Sequence, residues 1–111
     1  TKPAERRDAA AASEPSITER WRQARLLRGQ GHFDRALAAC VAIGDERDPT
    51  WSPIALLEGA RIALDALGDP ARAEALAHRV EAEWPAHALV PEARVVACRA
   101  ATQQGRAGDC R

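Results

Sequence analysis

Three glycines, Gly31, Gly68 and Gly105, stand 37 residues apart, twice over. A period of roughly 20–50 residues marks a chain that builds one small unit and stacks copies of it, because a single unit cannot bury its own apolar face. Each glycine closes a stretch with helical spacing of apolar residues, which suits the left-handed position that ends a helix.

Stop and start signals divide the chain into helices. Ser16-Ile17-Thr18-Glu19 is a capping box, with serine at the N-cap and glutamate three residues on. Trp21, Ala24, Leu26 and Leu27 follow before Gly29-Gln30-Gly31. A second helix carries Phe33, Ala36, Leu37, Cys40, Val41 and Ile43, and Gly44 is expected to end it. Ser52-Pro53 restarts a third helix, with serine capping and proline at the first helical position. That helix is expected to run to Leu67. Asp69-Pro70 opens a fourth, which runs to Trp84 and stops at Pro85. Pro91 opens a fifth that reaches Gln104, and six residues after Gly105 the chain ends at the start of what would be a sixth. No stretch alternates like a strand, so the expected class is all-α.

Composition agrees. The basic residues are nearly all arginine, and alanine is abundant. A GC-rich coding sequence explains that bias, but Ala, Arg, Leu and Glu are also strong helix formers. Sixteen basic and sixteen acidic side chains cancel, which argues against bulk electrostatic binding of nucleic acid or an anionic membrane. No apolar run is long enough to cross a bilayer and no signal peptide is visible. Residues 1–15, rich in Ala, Pro and charge, are expected to be a flexible linker with a loose helical turn at Pro3 to Ala12. Because the chain begins at Thr1 and has no methionine, it is expected to be a piece of a longer protein, with residues 16–111 forming the domain.

The spaced positions resemble the tetratricopeptide repeat family. Ala24, Leu27, Gly31, Ala36 and Cys40 fit the small, large, turn-glycine, small and large positions in the first repeat. Leu64, Gly68, Ala73, Ala77, Val80 and Pro85 do so in the second, and Cys98, Ala101 and Gly105 in the third. Trp84-Pro85 followed by Pro91-Glu92-Ala93 also resembles bacterial cell-envelope members, such as the C-terminal domain of the Tol-Pal coordinator and the outer-membrane assembly lipoproteins. The resemblance implies a right-handed array of antiparallel helix hairpins, about two and a half repeats long. One position departs from it. Seven residues before Gly68 stands Arg61, where a small residue belongs. A hairpin turn one residue longer would bring in Ala60 and align Ala24-Arg25, Ala60-Arg61 and Cys98-Arg99.

In that register Cys98 and Cys110 occupy the two positions that touch across a hairpin, with Cα atoms expected about 5–6 Å apart. A Cys98–Cys110 disulfide would stabilise by roughly 3 kcal/mol and imply an oxidising compartment such as the periplasm. The alternative is two reduced cysteines standing in for alanine, which would suit a cytoplasmic chaperone of the same fold. Cys40 is expected in the core and reduced.

The family's first helices line a concave face. There the resemblance places Thr18, Trp21, Arg25 and Arg28, then Glu58, Ile62 and Asp65 or their neighbours one place earlier, then Glu92, Val95, Arg99 and Gln103. Arg25, Arg28 and Arg99 could hold an acidic segment by bidentate hydrogen bonds, or simply solvate an exposed face. Trp21 could anchor a ligand, or pack at the N-terminal edge. His32, His78 and His87 lack zinc spacing, and Glu81 and Glu83 point to different helix faces. No phosphate loop or nucleophile motif occurs. The expected role is therefore a non-catalytic scaffold or adaptor of the bacterial cell envelope, without cofactor, binding a protein or peptide, which would be acidic if those arginines take part. Two other roles stay open: the periplasmic sensory arm of a membrane-anchored transcriptional regulator, and a homo-oligomerisation module.

Overall fold

The computed structural model describes residues 14–110. The expected linker at residues 1–15 therefore falls almost wholly outside the described residues. Those described form five α-helices and no strand: α1 (Ile17–Gly29), α2 (Phe33–Asp45), α3 (Trp51–Arg61), α4 (Pro70–Glu83) and α5 (Val90–Gln103). A 3-10 turn at Ala107–Asp109 follows. Each helix packs chiefly on its sequence neighbours, and α3 also touches α1 and α5.

Local chemistry sets these boundaries. Ser16 Oγ accepts from Glu19 N–H at 3.1 Å and caps α1, and Asp69 Oδ1 accepts from Arg72 N–H at 3.1 Å and caps α4, each satisfying an otherwise orphaned amide. Gly31, Gly68 and Gly105 have φ of 81°, 60° and 82°, a region where a side chain costs energy. After Gly31, His32 N–H donates to Leu27 O at 2.9 Å; after Gly105, Arg106 N–H donates to Ala101 O at 2.8 Å. These five-residue spans are Schellman closures.

The middle closure differs by one residue. Asp69 N–H reaches back six residues to Ala63 O at 2.8 Å. The reason lies inside the helix, for α3 continues into a π-helical turn over Ile62–Ala66, which inserts one extra residue. The expected longer hairpin turn is thus corrected. The link from Leu67 to Asp69 is as short as the other two, and the additional residue sits in the helix before it. Its effect on register is the expected one. Ala60 is fully buried, as are Ala24, Ala36 and Ala73, while Arg61 stays partly exposed.

Three further expectations change. Gly44 does not end α2, which continues to Asp45. It is buried where α2 meets α3, and the left-handed residue after the helix is Arg47, with φ of 57°. Ser52 does not cap α3. The Asp48 carboxylate accepts from Trp51 N–H at 2.7 Å and Thr50 N–H at 3.1 Å. Buried Ser52 instead donates to Ile43 O at 2.7 Å and accepts from Asp48 N–H at 2.8 Å, tying α2 to α3. Finally, the residues after Gly105 make a 3-10 turn rather than a new α-helix.

One core runs through all five helices. Ala36, Leu37, Cys40 and Ile43 from α2 join Leu56, Ala60 and Ile62 from α3 and its π turn, then Ala73, Leu76 and Val80 from α4, then Val90, Ala93, Val96 and Ala100 from α5. Small residues dominate, so helix backbones approach closely. A β-carbon on Gly59 would meet Leu37 Cδ1 at 3.3 Å and Cys40 Cβ at 3.4 Å.

Candidate functional site

The face shared by α1, α3 and α5 carries most of the expected binding residues, and ion pairs lace it together. Arg28 of α1 pairs with Glu58 of α3. Arg61 of α3 donates to Glu92 of α5 at 3.0 Å, and Arg99 of α5 donates to Asp65 of the π turn at 2.7 Å. Alternating donors and acceptors along three helices pair these charges off within the chain, and Arg25 adds a positive charge to the face. Exposed pairs of this kind contribute little stability, but they fix which helix lies beside which.

The expected residues divide accordingly. Arg28 and Arg99 already hold carboxylates of their own chain, although a guanidinium has five donors and keeps some of them unused. Arg25 is exposed, with no ion pair among the described residues, Gln103 is exposed and Thr18 is half-buried. Trp21 is half-buried and lies against Trp51, ring centroids 6.3 Å apart and planes tilted by 41°. That is packing between α1 and α3. Ile62 is corrected from lining to core, being 1 % exposed. The π turn rotates it inward and leaves Arg61, one place earlier, to reach Glu92. Spacing alone could not reveal the ion pairs, since both partners sit on separate helices.

Cys98 and Cys110 form a disulfide, with Cα atoms 4.7 Å apart. The bond ties α5 to the segment after the 3-10 turn, and Cys110 Sγ lies 3.1 Å from Cys98 O. It stands between two clefts. One, about 300 Å³, lies between α4, α5 and the C-terminal segment, with Glu74, His78, Glu81, Arg94, Arg106 and Asp109 among its lining. Arg106 bridges Glu74 and Asp109, Gln104 donates to Glu74 at 2.9 Å, and Arg94 pairs with Glu81. The hydrogen bond from Arg106 holds the Glu74 carboxyl below its usual range, against a smaller opposing effect of burial. The bond from Arg94 does the same for Glu81. The second cleft, about 510 Å³, lies on the outer side of α5 and is lined by Pro91, Arg94, Val95, Cys98, Arg99 and Cys110.

Cys40 is the free thiol among the described residues. Burial, aided by the nearby Glu58 carboxylate, pushes it up to about 12, so it carries no thiolate at neutral pH. Among the described residues no three His, Cys, Asp or Glu side chains gather as metal ligands. None of the described helices is long and apolar enough to cross a membrane. Comparison with known protein families, curated proteins and solved structures finds no match.

Proposed function

We propose that this chain is a non-catalytic protein-binding module, a right-handed array of tetratricopeptide-like helix hairpins. The observation that carries this reading is the left-handed conformation of Gly31, Gly68 and Gly105 at their 37-residue spacing, each ending a helix of the same series. The burial of Ala24, Ala36, Ala60 and Ala73, small residues at equivalent places, supports it. In this reading α1, α3 and α5 line the concave side. Arg25, Gln103 and the unused donors of Arg28 and Arg99 meet an acidic segment of a partner, with the edge of Trp21 as its apolar contact. The Cys98–Cys110 disulfide favours an oxidising compartment, for which the bacterial cell envelope is our choice.

Site-specific photo-crosslinking tests it. A photoreactive residue at position 25 or 103 should capture a discrete partner in the native host. The same residue at exposed Ala42 or Ala75, on α2 and α4, should not. Equal capture at all four positions would refute a binding face on α1, α3 and α5.

A further inference from the structure

We infer that the Cys98–Cys110 disulfide is a redox latch: a dithiol reductant opens it, releasing residues 106–110 from α5 and removing one wall of the 300 Å³ cleft. The inference does not depend on the binding face or the partner proposed above. Ala97 and Ala101 of α5 and Glu74 of α4 line this cleft, and Arg106, Asp109 and Cys110 close it.

Few ties hold the closing segment. In α2 and α4, side chains such as Leu37, Ile43, Leu76 and Val80 anchor the helix in the core, but none of residues 106–110 is buried. The Arg106 amide donates to Ala101 O at 2.8 Å, and its guanidinium reaches the Glu74 carboxylate. Past Arg106, the backbone bonds of Asp109 and Cys110 stay within the segment, to Arg106 O and Ala107 O. The contacts of Cys110 Sγ with Cys98 O and Thr102 Oγ1 run through the bonded sulfur itself. Among the described residues the disulfide is therefore what joins the far end of the segment to α5. A bond closing so short a loop favours the closed form about a hundredfold, whereas an ion pair with an exposed arginine is worth about fivefold or less. The first of these decides where the segment lies.

Both cysteines border the cleft and are only half-buried, so a thiolate can approach the bond. A thiolate of the reductant attacks one sulfur, the Cys98–Cys110 bond breaks, and the other sulfur leaves as thiolate and takes a proton. The reductant's second thiol then displaces the remaining cysteine from the mixed disulfide. Two electrons pass to the cysteine pair, and the reductant ends as its own disulfide. Cys40 takes no part, since it is 1 % exposed and burial pushes it up to about 12. The pair therefore opens and recloses without exchanging partners.

The test adds dithiothreitol to the folded, isotope-labelled chain and follows amide exchange and the Glu74 carboxyl by NMR. Reduction should speed exchange of the Arg106 amide by about tenfold or more, while the amide shifts of α2 and α3 stay in place. The Glu74 carboxyl, held low by Arg106, should move up toward its ordinary value. Reoxidation should restore both, and C98A/C110A should match the reduced chain with or without dithiothreitol. Loss of all five helices together, on reduction or in C98A/C110A, would make the bond a staple of the whole fold and overturn the latch. So would unchanged exchange and titration, or a bond that dithiothreitol reduces only in denaturant.

Discussion

Gly44 in α2 lies so close to Leu56 in α3 that a β-carbon on the glycine would stand 2.5 Å from Leu56 Cδ2 and 2.8 Å from Leu56 Cγ. Leu56 is fully buried, so moving it would disturb its other core contacts. G44A should therefore destabilise by about 1–3 kcal/mol through overpacking. The cause can be isolated by a double-mutant cycle. L56A alone should cost about 2–5 kcal/mol as a cavity, and G44A/L56A should cost less than the sum by about 0.5–3 kcal/mol. Additive losses in denaturant unfolding would show that Gly44 serves some other purpose.

Arg47 takes the left-handed turn after α2 without a glycine's freedom. It is exposed and makes no ion pair among the described residues, so R47G removes backbone strain and little else. The left-handed penalty of about 1–2 kcal/mol is partly offset by the extra freedom glycine gives the unfolded chain. A net gain of about 0.5 kcal/mol, or about 2–4 °C in Tm, is expected by calorimetry. A lower Tm would mean that Arg47 makes a contact worth more than its strain.

The cysteines make a chemical prediction. Denatured protein should alkylate once before reduction, at Cys40, and three times after it, since Cys98 and Cys110 are bonded and Cys40 is free. Native protein at pH 8 should not alkylate, because the buried thiol is pushed up to about 12 and only thiolate reacts. C98A/C110A should lose about 3 kcal/mol in the chain-entropy account. Native alkylation on the time scale of the denatured reaction would contradict the burial of Cys40.

These elements differ in how far they could be foreseen. Gly31, Gly68 and Gly105 announce the helix ends because few other residues tolerate a left-handed backbone, and Ser16 and Asp69 announce starts because a side-chain oxygen caps free amides. Cys98 and Cys110 could be paired from the places the resemblance gives them across a hairpin, although Cys110 follows a 3-10 turn and not a second α-helix. The π turn showed in the sequence only as one extra residue between Ala60 and Gly68, which spacing could not assign to the helix rather than to the turn after it. It shifts hydrogen bonds by one residue without needing a special side chain, which is why Ile62 could be placed on the wrong face. Gly44 misled for a related reason, since a glycine needed for close packing and one needed for a turn look alike in a sequence. The pairing of Arg28 with Glu58 and Arg99 with Asp65 depends on how separate helices lie together, and single-helix spacing is silent on that.

Glu74 gives the fold an acid limit. Hydrogen bonds from Arg106 and Gln104 hold its carboxyl below its ordinary value of 4.5, so the folded chain releases that proton more readily than the unfolded one. The resulting stabilisation is fully present above pH 4.5 and is lost as pH falls through the depressed value. Between pH 6 and pH 3 the wild-type chain should therefore lose stability, and E74Q, which cannot ionise, should show a shallower decline. At neutral pH E74Q should be less stable than wild type, and the difference should shrink as pH falls through the depressed value. Urea unfolding at a series of pH values checks this, and parallel curves for the two proteins would show that Glu74 titrates alike in both states.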